Sequence, residues 1–103
     1  MSQHVDFKKR EEFRIRLVRS LEKAGFNPRK AGELCTAFNQ RYVSGQVTSI
    51  SVYKWLMGES MPTEDKLLIL AAMCEVCPHW LRHGEYLKPV EPPVMDFNNI
   101  QQC

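Results

Sequence analysis

The side chains with the most chemical capacity fall in two clusters. In the first, Cys74-Glu75-Val76-Cys77 is followed by His79 and His83, and thiols with imidazoles are the donors of a tetrahedral zinc shell or of a redox pair. About a dozen residues separate the cysteines from the histidines in the usual zinc-binding spacing, whereas here His79 follows Cys77 almost at once. Structural cysteines are therefore the expectation, with no metal and no cofactor. The second cluster is Thr48-Ser49-Ile50-Ser51-Val52-Tyr53-Lys54. Its hydroxyls, phenol and ammonium suit recognition by hydrogen bonds and charge rather than covalent chemistry. No Gly-rich phosphate loop, nucleophile elbow or paired acidic motif accompanies either cluster, so an enzyme is not expected.

The second cluster needs a helix to present it. Val52, Trp55 and Leu56 recur at three- and four-residue spacing, which puts them on one helical face and leaves Ser49, Ser51, Tyr53 and Lys54 mostly elsewhere. Thr48 or Ser49 can cap the first turn, and Gly58 can take the positive φ that ends a helix. The helix expected over 48–57 is the third of five. Helix one runs from about Lys9 to Ala24 with Phe13, Leu17, Val18 and Leu21 inward. Helix two starts at Asn27-Pro28, with Asn as cap and Pro at the first position, and buries Ala31, Leu34, Cys35, Phe38 and Tyr42. Thr63 caps helix four, whose inner residues are Leu67, Leu70, Ala71 and Cys74; helix five runs from Cys77 or Pro78 to His83 and stops at Gly84. Trp55 and Trp80, which could pass for base-stacking platforms, sit among apolar neighbours at helical spacing and are expected in the core. With no strand pattern, the fold class is all-α.

A chain of 103 residues fits one domain and can bury a core without staples. No stretch approaches eighteen apolar residues and the N-terminus is polar, so a cytoplasmic location away from membranes, with reduced thiols, is expected. Residues 1–58 carry eleven Lys/Arg against five Asp/Glu, and residues 59–103 carry three against seven; balances of +6 and −4 make up the net +2. Such a basic half suits a phosphate backbone, although an uneven solvated surface would look the same. Residues 1–8 read as a flexible arm, 9–85 as the domain and 86–103 as an extended or disordered tail broken by Pro89, Pro92 and Pro93. Val94, Met95, Phe97 and Ile100 of that tail could dock a protein partner or close a dimer; a tail lying on its own domain is the plainer reading.

The order Val47-Thr48, Val52, Trp55, Gly58-Glu59, Pro62, Leu67 to Ala71 and Pro78 to Gly84 resembles the lambda-repressor-like (Cro, XRE) family of helix-turn-helix DNA-binding domains over roughly residues 10–85. The resemblance implies a compact five-helix domain acting as a sequence-specific transcriptional regulator, repression being the expected mode, of bacterial or phage type. Its partner would be double-stranded DNA, bound by a homodimer on a two-fold site. Helix three would enter the major groove with Ser49, Ile50, Ser51, Tyr53 and Lys54, and Thr48 would lie near a phosphate. Arg29 and Lys30 would meet the backbone at the start of helix two, and Gln46, with Arg41, would reach a flanking phosphate or the minor groove. No Arg, Gln or Asn lies in 48–55, so the strongest bidentate base contacts are missing and shape readout gains weight. One departure from the family stands out: Leu34 to Val47 spans thirteen residues, roughly two helical turns more than a compact motif needs. An extended second helix or a loop around Ser44-Gly45-Gln46 must absorb them. The alternative to DNA binding is a protein-interaction module, such as an antitoxin-like partner of another protein.

Overall fold

The computed structural model describes residues 2–85, with side chains from Phe7 onward; the reading of 86–103 as a tail lies outside the described residues. Five helices follow in order: α1 (Ser2–Lys23), α2 (Ala31–Arg41), α3 (Ser49–Met57), α4 (Glu64–Cys74) and α5 (Pro78–His83). Among the described residues there is no strand, and none of these helices is long and apolar enough to cross a membrane.

Helix α1 is the brace, packing against α3, α4 and α5, while α2 packs on α3 and α4. Its inward residues Phe13, Leu17 and Leu21 are fully buried, as the periodicity requires, and Val18 is half-buried. The helix begins at Ser2 rather than near Lys9, so the backbone of residues 2–8 is helical. No Gly or Pro interrupts residues 2–23, and once nucleated a helix adds one hydrogen bond per residue until something stops it. At the other end Gly25, at φ +96°, turns the chain out.

Helix α2 starts later than Asn27-Pro28. The Asn27 side chain accepts the Arg29 amide at 2.9 Å, which closes a local turn in place of a helix cap, and Lys30 becomes the N-cap. At its C-terminal end α2 stops at Arg41 with Tyr42 as C-cap. The extra residues before α3 therefore form a connecting loop over 43–47. Leu34 and Phe38 of α2, Leu67, Leu70, Ala71, Met73 and Cys74 of α4, and Leu81 of α5 join the core.

Three guanidinium groups from the basic half work inside the fold. Arg16 donates to the Leu81 and Arg82 carbonyls at 2.9 and 2.8 Å, closing the end of α5 from α1. Arg10 reaches the Gly58 carbonyl at 3.1 Å, and Arg14 pairs with Glu11. Three of the eleven cations of residues 1–58 are thus engaged within the fold.

Candidate nucleic-acid interface

Thr48 begins α3 in extended geometry, and its Oγ1 accepts the Ser51 amide at 3.1 Å, satisfying one of the free donors of the first turn. The same oxygen lies 3.3 Å from Ser51 Oγ. Thr48 can therefore donate its proton to a phosphate by releasing Ser51 Oγ, while its oxygen still accepts the Ser51 amide and keeps the cap. Gly58 ends the helix at φ +74° with its amide on the Lys54 and Trp55 carbonyls. A Cβ there would stand 3.4 Å from Arg14 Cδ and 3.5 Å from the Arg10 carbonyl, so α1 touches α3 closely at this point.

Between the caps the helix divides cleanly. Val52, Trp55 and Leu56 are buried, and the Trp55 ring tilts against Phe38 at 5.5 Å, with Tyr42 beyond it at 5.3 Å from Phe38. Ser49, Ile50, Tyr53, Lys54 and Met57 are exposed, with Ser51 half-buried at the edge. No residue of α3 is acidic. Of the residues expected to meet a ligand, Ile50, Tyr53 and Lys54 share the outward face; Ser49 lies beside it at the first turn.

Arg29 and Lys30 are both exposed at the start of α2. Lys30 reaches Glu33 at 3.6 Å, an exposed pair that contributes little. No side chain caps α2, so amides of its first turn remain open to an anion. Neither Arg29 nor Lys54 forms an ion pair among the described residues. Gln46 is exposed on the loop, and Arg41, also exposed, bends back to the Ala37 carbonyl at 2.7 Å.

Two positioning contacts escape a reading of spacing alone. Asn39 grips the backbone of Val47: the Val47 amide donates to Asn39 Oδ1 at 2.9 Å, and Asn39 Nδ2 donates to the Val47 carbonyl at 3.0 Å. The Cys35 thiol reaches the same carbonyl at 3.3 Å. A side-chain amide presents the donor and acceptor of a peptide group, so it closes the loop as a neighbouring strand would. Asparagine is a poor helix-interior residue, and that misfit was the available signal. At the other end of the loop the Tyr42 hydroxyl donates to Asp65 Oδ2 at 2.6 Å, tying the end of α2 to α4.

The Cys/His cluster does not converge. Cys74 is buried, and burial pushes its thiol up to about 11. Cys77 is disulfide-bonded, not the reduced thiol expected of it; a missing secretion signal bears on compartment and says nothing of which sulfurs lie close together. Its Sγ accepts the Trp80 amide at 3.5 Å as the N-cap of α5. The rings of His79 and His83 tilt against each other with centroids 4.6 Å apart. Among the described residues no three His, Cys, Asp or Glu side chains are placed to share a metal. Trp55 is in the core, and Trp80 packs half-buried against it.

The sequence matches no family model, no curated protein and no solved structure.

Proposed function

We propose that this chain is a sequence-specific double-stranded DNA-binding regulator, a repressor of the lambda-repressor-like helix-turn-helix kind and of bacterial or phage type, acting as a homodimer. Binding, not catalysis, is its activity. The observation that carries the reading is α3 itself. It is a rigidly capped helix with one face locked in the core and the opposite face exposed, free of carboxylates and provided with Lys54. A helix with its side chains is about 10–12 Å across, a girth that the roughly 12 Å wide major groove admits.

In this reading α3 lies in the groove, Ile50, Tyr53 and Lys54 face base edges or flanking phosphates, and the open amides of α2 with Arg29 grip the backbone. Backbone contacts fix register; α3 supplies discrimination. Fluorescence anisotropy on labelled duplexes from the protein's own upstream region and on a scrambled control, at two salt concentrations, tests it. Preferential binding whose affinity falls with salt at a slope of about −0.9 per phosphate neutralised is the expected result. Lys54→Ala with Tyr53→Ala should weaken binding while the circular dichroism stays intact; unchanged affinity would remove α3 from the contact. A protein partner is the second reading, favoured by the exposed Ile50, Tyr53 and Met57. Failure to bind any duplex at low salt would shift the weight to it and call for a pull-down.

A further inference from the structure

Resting on the DNA-binding reading, we infer that α3 recognises the 5-methyl groups of thymine, so that the bases it reads are thymines selected by apolar contact. Successive residues turn by 100° around a helix, and the line opposite the buried Val52, Trp55 and Leu56 runs through Ile50, Lys54 and Met57, with Tyr53 on its flank. Ile50 is 66% exposed, and Tyr53 and Met57 are each 49% exposed. The side chains that make the strongest bidentate base contacts are absent, and Ser49 and Lys54 are the exposed polar groups left in or beside the stripe. Thr48 Oγ1 holds the Ser51 amide and neighbours Ser51 Oγ, and the helix has no Arg, Asn or Gln.

Such a face is not neutral toward the four bases. The major-groove edges of guanine, adenine and cytosine offer only hydrogen-bonding groups, and thymine alone adds a methyl. Pressing Ile50 against a cytosine amine or a guanine carbonyl strips water from a polar group and returns nothing. Pressing it against the thymine methyl removes two apolar surfaces from water at once. The Tyr53 ring can cover a second methyl while its hydroxyl stays wet. The occupant is DNA because the charge around the stripe is that of a phosphate-lined groove: Lys54 lies within it and Arg29 just before the neighbouring α2, neither forms an ion pair among the described residues, and α3 has no carboxylate.

The test takes the tightest-binding duplex selected from a random library and replaces its thymines one at a time with deoxyuridine, which removes only the methyl. One or two positions should lose about fourfold in affinity each, the worth of one buried methylene-sized group. In Ile50→Ala, whose side chain lies largely outside the core, the same replacement should cost nothing at the position Ile50 reads. A selected duplex that binds equally well with deoxyuridine at every position overturns the inference and leaves the DNA-binding reading standing. Binding with no sequence preference after selection overturns it as well. Absence of binding to any duplex at low salt defeats both readings and points the apolar stripe at a protein.

Discussion

Replacing Asn39 with alanine isolates the contact that sets the approach to α3. The wild-type side chain makes two hydrogen bonds to one peptide unit, at 2.9 and 3.0 Å, and Val47 is buried. Each bond contributes about 1 kcal/mol net, and a buried donor left without a partner costs about 1–3 kcal/mol. The Val47 carbonyl keeps the Cys35 thiol, so only its amide is orphaned. Asn39→Ala should therefore cost about 2–3 kcal/mol, a fall in melting temperature of roughly 10–20 °C for a domain of this size. Asn39→Asp keeps the acceptor for the Val47 amide but sets a carboxylate against the Val47 carbonyl. That repulsion should leave it less stable than wild type at neutral pH. Urea denaturation gives the free energies, and native-state hydrogen exchange at the Val47 amide gives the local effect. An Asn39→Ala protein within about 0.5 kcal/mol of wild type, with the Val47 amide still protected, would refute the clamp.

Three further substitutions probe the scaffold around it. Trp55→Ala empties the space against Phe38 and should cost about 3–5 kcal/mol, so a stable, fully folded variant in thermal melts would contradict its place in the core. Glu75 caps α4 in left-handed geometry at φ 58°, a conformation glycine adopts freely, and Glu75→Gly should raise stability by about 0.5–1 kcal/mol in urea; a loss would mean the carboxylate has a role. The Thr63 hydroxyl and then the Tyr42 phenol hold the Asp65 carboxyl at about 2, against an ordinary 3.8. Because that folded value is depressed, the stabilisation is complete above pH 4 and disappears as pH falls towards 2. NMR titration of Tyr42→Phe should find the Asp65 midpoint moved upward; an unmoved midpoint would show that the phenol contributes nothing.

Helices announce themselves in this sequence where their ends carry chemistry. Thr48 and Gly58 bracket α3 and Gly84 closes α5, each by a local preference that acts within a few residues, whereas Thr63 holds the N-cap position of α4 without the expected side-chain cap, its hydroxyl donating to the Asp65 carboxylate instead. The inward stripes of α1, α3 and α4 follow from periodicity for the same reason. Spacing fails where a side chain has two local uses: Asn27 can cap a helix or close a turn, and its neighbours alone do not decide between them. It fails again where the partner is distant, since Arg16 meets α5 and Asn39 meets Val47 only once the chain has folded. The exposed face of α3 was legible as a face, while the engagement of Thr48 and Ser51 with one another needed coordinates.

The loop between α2 and α3 is anchored at both ends, by Tyr42 on Asp65 and by Val47 on Asn39. Residues 43–46 between those anchors are exposed, Val43 almost completely. Helix pairing and loop content are thereby separated: the angle at which α3 leaves the scaffold is set outside the loop. Doubling the length of a flexible loop costs only about 0.6 kcal/mol in closure entropy, so this stretch can accept insertions, epitope tags or whole libraries of sequence. An engineer can therefore give the protein new reach at this loop without redesigning the core.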